Sequence, residues 1–100
     1  MQTHNAIGRG HRLTNEELMQ RGQDADRLLS DPLFTESVGK VREGLVSSME
    51  TSALGDKETH NRLVIALQLL GQIEKRIKEV AETGKLTAIQ VDNKRRFGLF

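Results

Sequence analysis

Cysteine, tryptophan and tyrosine are absent from the 100-residue chain, and proline occurs only once. Without cysteine, the chain can form neither a disulfide framework nor a thiolate metal site. Its three aromatic residues are Phe34, Phe97 and Phe100, and two of these lie at the very end. The core that one chain can build is therefore small and aliphatic, so we expect oligomerisation or docking on a larger body.

Long apolar runs are also missing. No stretch approaches the roughly 18 apolar residues of a membrane-spanning helix. The N-terminal MQTHNAIGRGHRL lacks the apolar segment of a secretory signal. We therefore expect a soluble protein that works inside a cell, or a virion component that is assembled there, without membrane contact.

The formal net charge is only +1, but the basic residues gather at the two ends. The basic residues considered for contact with a partner are Arg9, Arg12, Lys94, Arg95 and Arg96. They suit either solvated tails or electrostatic contact with nucleic acid or an acidic partner. Because the charges are few, we favour solvated tails and keep nucleic-acid contact as the alternative.

The first helix is predicted over about residues 14–29. Thr14 and Glu17 have the spacing of a capping box, in which each side chain satisfies a free backbone N–H at the helix start. Leu13 and Leu18 match the hydrophobic staple that accompanies such a start. Residues 1–13 before it show no periodicity, so we expect a flexible basic arm.

The second helix is predicted over about residues 32–50. Asp31 suits the N-cap, and Pro32 suits the first helical position, where a missing N–H costs nothing. Apolar residues recur at helical spacing along this segment. They are Phe34, Val38, Val41, Leu45 and Met49.

The third helix is predicted over about residues 56–83, with Asp56 as N-cap and Gly84 as the residue that ends it. Its apolar residues fall at alternating steps of three and four, which places them on one stripe. They are Leu63, Ala66, Leu70, Ile73, Ile77 and Val80. Residues 63–70 are nearly all apolar and should be covered on most sides, whereas residues 72–83 should be exposed except for a narrow stripe.

A helix of that length would extend about 42 Å, whereas a compact domain of this size is about 33 Å across. Its second half therefore either projects from the body or contacts another chain, and we favour another chain. The predicted oligomer interface is Leu70, Ile73, Ile77 and Val80.

Residues 51–55 connect the second and third helices. A link this short is typical of antiparallel neighbours. We therefore predict an all-α fold of three helices with a hairpin of the second and third. Together they form a helical domain over residues 14–84.

After Gly84 the pattern changes. Thr87, Ile89 and Val91 are β-branched and alternate, which predicts a short extended segment within a basic and apolar tail over residues 85–100. Phe97, Leu99 and Phe100 end the chain, and terminal apolar groups need a surface to dock on. They either cap the core of their own chain or insert into a partner.

We find no catalytic constellation. The serines at 37, 47, 48 and 52 have no histidine or nucleophile-elbow motif nearby in the sequence. His60 suits a surface or capping role, and the two histidines of the arm lack a third metal ligand. The sequence indicates a protein that is not an enzyme and needs neither a metal nor another cofactor.

Two segments, RLLSDPLFTESVGKVREGLV and HNRLVIALQLLGQIEKRIKEVAETGK, resemble small helical proteins encoded among the virion and packaging genes of tailed bacteriophages. The resemblance covers residues 27–86 and contains no catalytic motif. It implies a structural or assembly protein in the host cytoplasm during assembly, or in the virion, with other virion or packaging proteins as partners. We expect a homo-oligomer that docks through its tail; the alternative is a nucleic-acid-binding module, such as a small terminase-like ring or a compact regulator.

Overall fold

The computed structural model describes residues 12–98, which form three α-helices and contain no strand. They are α1 (Asn15–Ser30), α2 (Pro32–Thr51) and α3 (Lys57–Phe97). The predicted all-α class and the number of helices are confirmed. The molecule is elongated, with extents of 64 × 34 × 21 Å, and the 41 residues of α3 set its length because each helical residue adds about 1.5 Å.

All three helix starts follow the predicted cap chemistry, with Asp56 as the N-cap of α3. Thr14 Oγ1 accepts a hydrogen bond from the Glu17 N–H at 3.1 Å, and the Glu17 carboxylate accepts from the Thr14 N–H at 2.8 Å. The Asp31 carboxylate accepts from the N–H groups of Leu33 and Phe34 at 2.8 and 3.1 Å. Asp31 is the single residue between α1 and α2, so the two helices follow each other almost directly.

The predicted end of the third helix is wrong. Gly84 lies inside α3, which continues through residues 85–97, and the segment 86–91 is helical rather than extended. Gly98 ends the helix instead, in the left-handed conformation with φ of 64°, and its N–H donates to the Lys94 carbonyl oxygen. Residues 85–97 therefore belong to the longest helix, and only Leu99 and Phe100 of the predicted tail lie outside the described residues.

Packing explains why the sequence patterns at Gly84 and at residues 86–91 predicted the wrong structure. Gly84 is buried against α1, so it serves a close helix approach rather than a positive φ. The β-branched residues that suggested a strand have only a weak intrinsic preference, which tertiary contacts override. Thr87 is buried at 6% exposure, and its hydroxyl donates to the Thr83 carbonyl oxygen one turn back.

The expected burial is wrong for the first half of the third helix, whereas residues 72–83 are exposed except for a narrow stripe, as expected. Ala81, Gly84 and Thr87, the buried residues of α3, lie within or beyond that stripe. Ile65 and Leu69, in the half expected to be covered, are 54% and 58% exposed. The reason is that α1 packs closely along the second half of α3, whereas α2 contacts α3 less extensively.

Two polar contacts join α2 to the first half of α3. Arg42 pairs with Glu74 at 2.5 Å, and Ser52 Oγ lies 2.6 Å from His60 Nε2. Val41, predicted to face inward, is 52% exposed, and the neighbouring Arg42 is turned toward α3 in its place.

Candidate interaction surfaces

Two glycines form the crossing point of α1 and α3. A Cβ atom placed on Gly22 would lie 2.7 Å from the Cα of Gly84, and the reverse holds for a Cβ on Gly84. Ala25 and Ala81, which are 7% and 3% exposed, complete this small-residue contact and are the only buried apolar side chains among residues 12–98. The close crossing allows the two backbones to touch, but it builds only a thin core.

The two helices run antiparallel across this contact. Near the start of α1, Asn15 shares a surface groove with Lys94 and Arg95. Near its end, Leu28 lines a groove with Ile77. This arrangement brings the N-terminus of α1 to the C-terminal end of α3.

The four residues of the predicted oligomer interface lie in different surroundings. Ile77 and Val80 line the groove that α1 forms with α3 and are half-buried within their own chain. Leu70 is also half-buried, whereas Ile73 is 57% exposed. The structure does not bring these four side chains together as one free surface, and their role in an oligomer stays a prediction.

A different set of apolar side chains lies exposed along α3. It comprises an N-terminal pair, Ile65 and Leu69, and a C-terminal pair, Leu86 and Ile89, with exposures between 54% and 59%. Because each helical residue turns the chain by about 100°, the two pairs point to different sides of the helix and do not form one face.

Sequence reasoning missed the C-terminal pair because it ended the helix at Gly84. Once the helix continues to Phe97, Leu86 and Ile89 are exposed helical residues. It missed the N-terminal pair because it expected residues 63–70 to be covered on most sides.

α3 carries charges of opposite sign between its two exposed apolar pairs. Lys75 and Arg76 lie toward the N-terminal pair, and Glu79 and Glu82 lie toward the C-terminal pair; all four are exposed. Arg76 approaches Glu79 at 3.8 Å. Among residues 12–98, Lys75 and Glu82 form no ion pair within 4.0 Å.

Of the residues predicted to contact nucleic acid, those that the structure describes lie near one end of the molecule. Lys94 and Arg95 are exposed on the last turns of α3, beside the start of α1. Arg12 is exposed just before that start. Arg96 pairs with Asp92 at 3.6 Å, and Arg9 lies outside the described residues.

The predicted docking residues are described only in part. Phe97 is the last residue of α3 and is 68% exposed. It therefore does not cap the core of its own chain. Leu99 and Phe100 lie outside the described residues.

One serine does have a histidine beside it, contrary to expectation. Ser52 Oγ lies 2.6 Å from His60 Nε2 because the short connection folds the start of α3 back toward the end of α2. Ser52 Oγ is also placed to donate to the Met49 carbonyl oxygen at 3.0 Å, an arrangement in which it accepts from the Nε2–H tautomer of His60. The contact ties the end of α2 to the start of α3.

Neighbouring Asp56 is occupied by the cap of α3 rather than by His60. Its carboxylate accepts from the Thr59 hydroxyl at 2.7 Å and from the Thr59 N–H at 3.1 Å. These two hydrogen bonds, with a smaller contribution from the nearby His60, lower the pKa of Asp56 below its ordinary value. The three polar side chains therefore stabilise the connection and do not form a Ser-His-Asp relay.

Residues 12–98 contain no group of three or more histidine, aspartate or glutamate side chains placed to hold a metal ion. In the same part of the chain, no helix combines the length and the apolar content that crossing a membrane requires.

Comparison of the chain with protein-family models, with curated proteins and with solved structures finds no match.

Proposed function

We propose that the chain is a non-enzymatic structural or assembly protein that associates with copies of itself through α3. The observation that carries this proposal is the contrast between a thin core, with Ala25 and Ala81 as the buried apolar side chains, and a long helix with many exposed ones. Burial of apolar surface is the main driving force of association. A chain that leaves this much of it uncovered gains stability from a partner.

Self-association is tested by sedimentation or multi-angle light scattering of the purified full chain. We expect a mass above that of the 11.2 kDa chain at tens of micromolar. A single species with the mass of the monomer over that range would overturn the proposal.

A hairpin of α2 and α3 is part of this proposal. Support comes from the Ser52–His60 contact near the connection and the Arg42–Glu74 pair farther from it, an order that antiparallel helices produce. In a double-mutant cycle, the effects of Arg42→Ala and Glu74→Ala on stability should be non-additive. Additive effects would count against the hairpin.

The C-terminal end is proposed to dock on a second protein of the assembly. Phe97 supports this role because it is a large apolar side chain, 68% exposed, at the end of a rigid helix. Deletion of residues 97–100 should abolish binding to that partner while the helical content stays nearly unchanged. Retained binding would show that residues 97–100 are not the docking site.

The phage setting rests on the resemblance of residues 27–86 to small helical proteins of virion and packaging genes. The proposed location is the host cytoplasm during assembly or the finished particle. Mass spectrometry of purified particles and of assembly intermediates distinguishes these two locations, and absence of the chain from both would contradict the setting.

A nucleic-acid-binding module is the second candidate. The observation that favours it is that Arg12, Lys94 and Arg95 gather around the start of α1. A gel shift at low salt should show binding that weakens steeply as salt is added. The double substitution Lys94→Glu with Arg95→Glu should abolish binding. Lys57→Glu, at the opposite end of α3, is the control and should leave binding unchanged. Absence of a shift at low salt would contradict this second candidate function.

A further inference from the structure

We propose that the groove between α1 and α3 docks an acidic amphipathic helix of a partner protein. This inference goes beyond the proposed self-association, because it assigns one side of the α1–α3 pair to a different protein and states the chemistry of that protein. It is carried by an apolar stripe along the groove and by the arginines at its rim.

The apolar stripe runs along α3. Leu69, Ile73, Ile77 and Val80 follow one another at steps of four, four and three residues, so they lie within about 80° of one another around the helix. The stripe is about 17 Å long, or three helical turns. A partner helix of similar length, with apolar side chains at the same spacing, fits along such a stripe.

The chain itself covers only the second half of this stripe. Ile77 and Val80 line the groove together with Leu28 of α1. Because α1 ends at Ser30, it does not reach the first two residues of the stripe, which are 58% and 57% exposed. The stripe therefore continues for about two turns beyond the helix that covers it.

α2 does not cover this part of the stripe either. Its Arg42 pairs with Glu74 of α3, and Glu74 points about 100° away from the adjacent Ile73. A partner helix in the groove can therefore contact the exposed first half of the stripe and continue along the half-buried second half.

The rim of the groove carries one arginine on each side. Arg21 of α1 and Arg76 of α3 line the groove along both of its stretches, and both are exposed. Among residues 12–98, Arg21 forms no ion pair within 4.0 Å, and Arg76 approaches Glu79 only at 3.8 Å. Two positive charges are therefore placed to meet a partner.

The acidic residue that lines the same groove is already engaged within the chain. The Asp24 carboxylate accepts from the Arg27 guanidinium and, at 3.0 Å, from the Gln20 amide. The remaining charge of the rim is positive, which complements acidic side chains on the partner. Because an exposed ion pair contributes at most about 1 kcal/mol, the arginines select the partner and the apolar stripe supplies most of the affinity.

The stripe favours a protein over nucleic acid as the partner. A phosphate backbone could pair with the arginines, but it has no apolar side chains to cover Leu69 and Ile73. Sites for single-stranded nucleic acid stack the bases on aromatic side chains, and none of the described residues that line the groove is aromatic.

Binding of model peptides tests the chemistry of the partner. The probe is a labelled helical peptide of about 14 residues with leucine at positions i, i+4 and i+7 and glutamate beside them, and a matched peptide carries lysine in place of glutamate. By fluorescence anisotropy with the full chain, we expect the acidic peptide to bind at least about tenfold more tightly than the basic one. Equal binding of the two peptides, or no binding of the acidic one, would overturn the proposal.

Two isoleucines of nearly equal exposure test the stripe. Ile73→Glu should weaken binding of the acidic peptide at least about tenfold, because it places a charge in the apolar contact. Ile89→Glu is the matched control and should leave binding unchanged, since Ile89 is 56% exposed but lies about 160° around α3 from Ile73. Equal effects of the two substitutions would show that the stripe is not the binding site.

Charge reversal tests the rim. The double substitution Arg21→Glu with Arg76→Glu should make the basic peptide the preferred one. Lys78→Glu is the control and should leave the preference unchanged, because Lys78 is exposed and points about 160° away from Arg76. An unchanged preference in the double variant would contradict the role of the arginines.

Sedimentation of the same variants separates this inference from the proposed function. If the unmodified chain is a monomer that binds the acidic peptide, self-association fails and the inference stands. If Ile73→Glu dissociates the oligomer whereas Ile89→Glu does not, a second copy occupies the groove and the acidic partner is wrong. A labelled single-stranded oligonucleotide that displaces the acidic peptide would assign the groove to nucleic acid and overturn the inference as well.

Discussion

At the scale of single residues, glycine has opposite effects at different positions of this chain. Gly22 and Gly84 let two backbones touch, and neither tolerates a Cβ without a shift of the helices. Gly39, Gly44 and Gly71 have nothing within 4 Å of a Cβ position. Glycine at these three positions therefore brings only the entropic cost of a flexible residue in a helix.

Alanine substitution separates the two kinds of glycine. Gly22→Ala should lower the free energy of unfolding by about 1–2 kcal/mol, because overpacking against backbone outweighs the gain in helix propensity. Gly44→Ala, the matched control on an exposed face, should raise it by about 0.5–1 kcal/mol. Urea unfolding measures both; equal stabilisation by the two substitutions would show that the close crossing is absent.

Asp56 predicts a local pH dependence. Since hydrogen bonds from Thr59 lower its pKa below the ordinary value of 3.8, ionised Asp56 stabilises the folded state above that pH. This contribution is lost as the pH falls through the lowered pKa. An NMR titration should find the lowered pKa in the unmodified chain and a higher one in Thr59→Val; an unchanged pKa in that variant would contradict the role of the hydroxyl.

At the scale of the elements, the unbroken length of α3 decides which surfaces exist. If the helix ended at Gly84, the C-terminal apolar pair and the basic end would lie on a separate segment. Because it continues to Phe97, they share one rigid axis with the N-terminal pair. Packing of α1 across residues 81–87 holds the continuation in place.

Proline at exposed position 90 tests this continuation. Gln90→Pro removes a helical N–H and clashes with the preceding turn, so it should destabilise the chain by about 3 kcal/mol and reduce the helical signal. Gln90→Ala is the control and should leave both nearly unchanged. An extended segment at residues 86–91 would tolerate the proline, and circular dichroism with urea unfolding distinguishes the two outcomes.

At the scale of the whole molecule, the shape is that of a rod with one closely covered half. The longest extent is 64 Å and the radius of gyration is 19.4 Å, far above the roughly 13 Å of a compact domain of this length. A rod of this kind offers a second copy a long lateral surface, whereas a compact domain would offer only a small patch.

Small-angle X-ray scattering can distinguish lateral from end-to-end association. Two copies that associate side by side along α3 should double the mass while the largest dimension stays close to that of one copy. Association through the tails would lengthen the particle strongly instead. A dilution series of the unmodified chain supplies the monomer reference.

The sequence alone predicted the helical class, the number of helices and all three helix starts. It did so because caps such as Thr14–Glu17 and Asp31–Pro32 are local hydrogen-bonding units that a few neighbouring residues complete by themselves. It also identified the basic ends, since charge is read directly from composition. Its choice of interface followed one stripe, of which Ile77 and Val80 are half-buried beside α1, and stays a prediction.

Only the tertiary structure decided where α3 ends and which of its sides is covered. Gly84 has the same local signal whether it ends a helix or lies at a crossing, and the difference comes from Gly22, distant in sequence. Likewise, Ile77 and Ile65 are both isoleucines on one helix, and their burial differs because α1 lies over one and not over the other. Contacts between distant segments determine both features, so no pattern within a single segment contains them.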